Sequence, residues 1–121
     1  LYNRSTSLPA WYALSTAYDL NSAGTKNGPV AWVSMTGRAN EPDAIVISKN
    51  GNYLYVQHDA SIYSYPLTVP GDLTGGHGAG VLLTTGFPQA GGLTLGPDGR
   101  TLYAGRSVAN NTNILSSYTL T

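Results

Sequence analysis

Two short turns of one design, Lys49-Asn50-Gly51-Asn52 and Pro97-Asp98-Gly99-Arg100, begin 48 residues apart (97 − 49 = 48). An alternating apolar run precedes each: Asp43-Ala44-Ile45-Val46-Ile47-Ser48 in one copy and Gly91-Gly92-Leu93-Thr94-Leu95-Gly96 in the other. A Leu-Tyr pair follows each, in Tyr53-Leu54-Tyr55-Val56 and Thr101-Leu102-Tyr103-Ala104. A period of about 50 residues made of short strands and tight turns is the mark of a propeller blade, a twisted antiparallel sheet repeated around a ring. The repeat constrains architecture far more than chemistry.

Strand patterns dominate the rest of the chain, and no window of about a dozen residues keeps a helical apolar period with caps. In the first full copy, strands are expected at Asp43–Ser48, Tyr53–Gln57, Ser61–Thr68 and Val81–Thr85, with Val69–Gly80 as a Pro/Gly-rich loop. The second copy predicts strands at Gly92–Leu95, Thr101–Gly105 and Ile114–Thr121. Upstream, Leu1-Tyr2, Leu14–Leu20 and Val30–Thr36 parallel later strands, the last two through Tyr18-Asp19-Leu20 and a closing Thr-Gly. The expected fold is therefore all-β, a β-propeller segment of about two and a half four-stranded antiparallel blades within a larger ring. Residues 1–36 form an incomplete blade, 37–86 a complete one, and 87–121 a last blade lacking its outer strand.

An open arc of blades leaves flat apolar faces and an unpaired strand edge. The expected partner is the remainder of the same propeller, as an upstream segment or a second chain, or further copies of this chain. Six Lys plus Arg balance six Asp plus Glu, so there is no basic stripe for nucleic acid. No run reaches the roughly 20 apolar residues of a membrane helix, and none resembles a signal peptide. Charged residues are 10% of the chain while Ser, Thr, Asn, Gly and Tyr abound, which favours an extracellular, secreted protein. The sequons Asn3-Arg4-Ser5 and Asn110-Asn111-Thr112 offer Asn3 and Asn110 as glycosylation acceptors. With no cysteine, disulfides, thiolate zinc sites and thiol catalysis are excluded.

The blade pattern resembles that of the lactonase-type seven-bladed propellers, which include 6-phosphogluconolactonases and carboxymuconate cyclases. Their blade reads Ser-Pro-Asp-Gly-Arg, Leu-Tyr-Val, an Asn-Arg loop and a strand ending Tyr-x-Leu. Leu95-Gly96-Pro97-Asp98-Gly99-Arg100-Thr101-Leu102-Tyr103 is a close match, Ser48-Lys49-Asn50-Gly51-Asn52-Tyr53-Leu54-Tyr55 a looser one, and Leu1-Tyr2-Asn3-Arg4-Ser5 matches the Leu-Tyr and Asn-Arg portion. The resemblance implies that the Pro-Asp-Gly strand is innermost and that the chain's N-terminal sequence closes the last blade. On that pattern Thr121 would be a natural C terminus, with sequence missing upstream of Leu1.

One rim of such a channel would gather the loops Asn3–Ala13, Gly37–Pro42, His58–Ala60, Gly86–Gly91 and Arg106–Asn113. That brings Arg4, Arg38, Glu41, Asp43, His58, Asp59 and Arg106 to a common mouth. The resemblance implies that enzymatic members use a rim histidine, a glutamate and arginines on a carboxylated lactone. Arginine suits that substrate because its planar fork grips carboxylates. Where the family has Pro-His before the inner strand, this chain has Pro42-Asp43 and Pro88-Gln89. His58, followed by Asp59, is the substitute general base, with Arg106 and Arg4 beside it as the remaining catalytic candidates.

Arg38, Glu41 and Asp43 are candidate ligand contacts, and Asp43 is also a candidate for an oxygen-ligated cation. Trp11 and Tyr12, expected in a rim loop, are the candidate stacking pair. His77 falls on the opposite face, and Asp98 is expected to cap its own turn. Neither a cofactor nor a resident metal is implied. The leading reading is a secreted lactonase-like segment acting as scaffold and part of a ligand-binding rim. A lactone hydrolase or cycloisomerase of a carboxylated substrate and an oligomeric, sugar-binding propeller lectin are the alternatives.

Overall fold

The computed structural model describes residues 2–3, 8–9, 11–16, 19–27, 43–86, 92–108 and 112–121. The fold is an all-β partial propeller of antiparallel sheets, one of them strongly curled, with no α-helix among the described residues. Contacts divide the chain into two compact units, Leu1–Arg38 and Ala39–Thr121. No helix among the described residues is long and apolar enough to cross a membrane.

In the first unit β1 (Tyr2–Asn3) pairs with β2 (Leu8–Pro9), and β3 (Trp11–Leu14) pairs with β4 (Ala23–Asn27). Of the expected strand Leu14–Leu20, Leu14 ends β3, and the other described residues, Ser15, Thr16, Asp19 and Leu20, lie outside any strand. After Leu14 the chain turns, and a 3-10 turn spans Leu20–Ser22. The Ser22 hydroxyl donates to Asp19 O at 2.7 Å and accepts from Thr16 N at 3.0 Å, and Asp19 Oδ1 accepts from Asn21 N at 2.9 Å. Short polar side chains bonded to nearby backbone offer an alternative to a ladder, and here that alternative wins. The expected loop Asn3–Ala13 likewise contains β2 and the start of β3, which places Trp11 and Tyr12 in a strand. The expected strand Val30–Thr36 lies outside the described residues.

The second unit holds the repeat. β5 (Ala44–Ile47), β6 (Tyr53–His58), β7 (Ser61–Val69) and β9 (Val81–Thr85) form an antiparallel blade in that order. β8 (Asp72–His77) appears where a loop was expected, paired with the far end of β7. The nine-residue β7 thus carries β9 along Ser61–Ser64 and β8 along Leu67–Val69, end to end on one edge. Pro70-Gly71 reverses the chain between β7 and β8: proline fixes the first central position of a turn, and Gly71, at φ 73°, takes the positive angle needed at the second.

β10 (Gly92–Leu95), β11 (Thr101–Val108) and β12 (Thr112–Thr119) make the next sheet. The inner strands β5 and β10 run beside each other. Alternation puts Val46 and Tyr55 on the face toward this second sheet, which answers with Leu93, Leu95, Leu102, Ala104, Tyr118 and Leu120. Tyr55, Ile62, Leu102 and Ala104 are the buried centre of that packing. The opposite face of the first blade, with Leu54, Val56, Tyr63 and Tyr65, is buried as well.

The two repeated turns are alike in backbone and differ in side chains. In the first, Ser48 N donates to Tyr53 O at 2.8 Å and Gly51 N to Ser48 O at 2.9 Å; in the second, Gly96 N donates to Thr101 O at 2.7 Å and Gly99 N to Gly96 O at 2.9 Å. Gly51 is needed twice over. Its φ is 76°, and a Cβ there would stand 2.8 Å from Gly71 N, where Gly71 N donates to Gly51 O at 2.8 Å.

Candidate functional site

The β6–β7 turn carries the expected rim histidine. His58 ends β6 opposite Ser61, and the two residues between them, Asp59 and Ala60, make the turn. Asp59 has φ 51°, the only positive value at a non-glycine among the described residues. Aspartate tolerates that region better than most side chains because its carboxylate can bond locally. His58 is buried, at 6% exposure, while Asp59 is exposed. His58 Nδ1 lies 3.2 Å from Asp59 Oδ2.

Around this turn the ladder gathers a small set of polar groups. Asp43 N donates to Gln57 O at 2.9 Å, which brings Asp43 to the same end of the blade, and Gln57 is fully buried beside His58. Thr85 pairs with Ser61 on the other edge of β7. One face alternates with the next along β6, so Gln57 shares the face of Tyr55 while His58 shares that of Val56. Chemically the arrangement offers a shielded imidazole with an exposed carboxylate against it, and the Asp43 backbone at the same end of the blade.

Arg106 is not in a loop. β11 continues to Val108, and Arg106 sits within the ladder opposite Ile114, half-buried on the face that carries Leu102 and Ala104. Among the described residues no hydrogen bond or ion pair joins it to Asp43, His58 or Asp59. The expected loop Arg106–Asn113 contracts because the β11–β12 ladder runs as far as Val108 and Thr112. Asn3 lies in β1 opposite Leu8. Arg4, Arg38, Glu41 and Asn110 lie outside the described residues. No group of three His, Cys, Asp or Glu that could hold a metal ion occurs among the described residues.

The opposite end of the blades carries a feature that motif reading passes over. Ser48, Lys49, Asn50 and Tyr53 of the first turn face Asp98, Gly99 and Arg100 of the second across a cleft of about 590 Å³. Lys49 Nζ donates to Pro97 O at 3.3 Å, joining corresponding positions of successive repeats. Asp98 Oδ1 accepts from Arg100 N at 2.9 Å and Thr101 N at 3.2 Å, and Oδ2 accepts from the Thr101 hydroxyl at 2.9 Å. These bonds, the one from Arg100 N foremost, hold the Asp98 carboxyl below its ordinary pKa. Tyr53 stacks on Tyr55 with ring centres 6.4 Å apart and planes 16° from parallel. Burial raises the pKa of the Tyr55 hydroxyl, with neighbouring Tyr53 adding to the effect. A sequence signal for this cleft existed: lysine and arginine occupy corresponding turns and an aromatic follows the first.

Comparison of the chain with protein-family models, curated proteins and solved structures finds no match.

Proposed function

We propose that this chain is a segment of a lactonase-like propeller, secreted, that serves as scaffold and supplies part of a ligand-binding rim. The observation that carries the reading is the approach of His58 and Asp59, with the backbone of Asp43 at the same end of a four-stranded blade whose strand β5 adjoins β10 of the next sheet. Polar groups converging at the mouth of a sheet assembly are the default place for a ligand. The ligand class is a small carboxylated or sugar-derived molecule, with arginines of the rim taking the carboxylate. The partner is the remainder of the propeller or further copies of this chain, since β12 pairs with β11 alone among the described residues. Asn3 and Asn110 are the glycosylation acceptors of the secreted form.

Enzymatic lactone opening is the second reading, favoured by the 3.2 Å approach of His58 and Asp59. There His58 takes the proton of a water that attacks the lactone carbonyl and returns it to the ring oxygen as the acyl C–O bond breaks. A titration with muconolactone, followed by amide NMR and by product formation, separates the two. Saturable shifts at Asp59, Ser61 and Thr85 without turnover are expected. Turnover abolished by His58→Gln would move the protein to the enzymes, and the absence of any shift at those amides would end the rim proposal.

A further inference from the structure

We infer that the cleft between the two repeated turns is a binding site for small aromatic carboxylates, separate from the rim at the other end of the blades. Its volume of about 590 Å³ falls in the range of small-molecule sites. Lys49 and Arg100 reach it from corresponding turns of two blades, and both are exposed. Among the described residues neither meets a carboxylate. Lys49 gives one N–H to Pro97 O and keeps two for a ligand. Asp98, whose side-chain carboxylate lines the cleft, has both oxygens engaged within its own turn.

Tyr53 gives the site a flat wall. Its ring is 42% exposed and is backed by Tyr55 in a parallel stack. Beyond Tyr53 and Leu120 the cleft adjoins a second hollow of about 300 Å³ lined by Val81, Leu83 and Tyr118. Polarity therefore falls along one direction, from Lys49, Arg100 and the internally bonded Asp98 at the turns to aliphatic and aromatic side chains between the sheets. A ligand matching that gradient carries an anion at one end and a flat apolar ring at the other. Arg100 and Lys49 would hold the carboxylate through charge-assisted bonds, and the ring would lie on Tyr53. A sugar acid matches less well, because its hydroxyls would be desolvated against Val81, Leu83 and Leu120 without partners.

Titration of the whole chain with 2-naphthoate, read by amide NMR, tests the site. Saturable shifts are expected at Asn50, Gly99 and Arg100, with none at Asp59, Ser61 or Thr85. Removing both charges in a Lys49→Gln, Arg100→Gln variant should weaken binding by about tenfold or more, whereas Arg100→Lys should keep most of it. Glucuronate, tested in parallel, should leave the turn amides unmoved. Naphthoate affinity that is unchanged in the charge-free variant, shifts confined to the rim, or glucuronate binding as tightly as naphthoate would overturn the assignment. If the charge-free variant does not fold, salt gives the same reading on the wild type. Affinity must fall as sodium chloride rises, and a salt-independent affinity rejects the site.

Discussion

The two sheets of the second unit are built from the same repeat yet are buried differently. The central strands β6 and β7 of the blade β5-β6-β7-β9 are covered on both faces, with Leu54 and Val56 hidden on one side and Tyr55 and Ile62 on the other, while Val81 and Leu82 of the edge strand β9 are exposed. The sheet β10-β11-β12 buries Leu102 and Ala104 on one face only, and Leu115 is 74% exposed on the other. Their turns differ in a parallel way. Ser48, itself buried, holds the first turn, donating to Asn50 Oδ1 at 2.8 Å and accepting from Tyr53 N at 2.9 Å. An exposed carboxylate, Asp98, holds the second with the help of Thr101. The same backbone design can be fixed by a neutral hydroxyl in a covered setting and by a charge in a wet one.

That contrast breaks most readily in the core. Leu102→Ala should cost about 3 kcal/mol, the range for removing a fully buried leucine, while Leu115→Ala should stay within about 0.5 kcal/mol. Urea unfolding measures both, and comparable losses would mean that the outer face is covered in solution. The turns give a second test. Gly51→Ala meets backbone at 2.8 Å and a positive φ, so a loss of about 2–4 kcal/mol is expected. Gly99→Ala meets only the Lys49 side chain at 3.4 Å and should lose about 1–2 kcal/mol, the left-handed penalty alone. Equal losses would show that the close approach of Gly71 to the first turn does not matter. Smaller still is Ser48→Ala, expected to cost about 1 kcal/mol for the lost hydrogen bonds and to leave the pH dependence of stability untouched.

Acid separates the turns without any change of packing. Because Asp98 is held below its ordinary pKa, its contribution is complete above the unfolded-state value and disappears as pH falls through the lower folded-state one. Below about pH 4, Asp98→Asn should therefore show a flatter decline of the urea midpoint than wild type. Asn50, the corresponding residue of the first turn, has no proton to gain there. An identical acid slope in wild type and Asp98→Asn would refute the role of the charge.

Legibility in the sequence followed how local each decision was. The hairpins β5–β6 and β10–β11 were readable because alternation and turn chemistry lie in one short window. β8 was not, since Asp72-Leu73-Thr74-Gly75-Gly76-His77 has the composition of a loop and becomes a strand through pairing with the overlong β7. Leu14–Leu20 was misread for the opposite reason: its apolar pattern is overruled by the backbone bonds of Asp19 and Ser22. At the rim, His58 and Asp59 were readable as neighbours, but the burial of His58 depends on sheets packed around it. Arg106 was expected in a loop, whereas the ladder with β12 carries the strand through Gly105 and Arg106 to Val108.

The bond from Lys49 to the carbonyl of Pro97 links a position to its own counterpart one module later. Successive modules are geared together at that tooth, so the spacer between them has a working length. Residues added in the β7–β8 turn would disturb the mesh, because Gly71 N donates to Gly51 O in the turn that carries Lys49. Residues added within β6 or β10 would slide one tooth past the other, although the apolar core between the sheets would still hold the modules together.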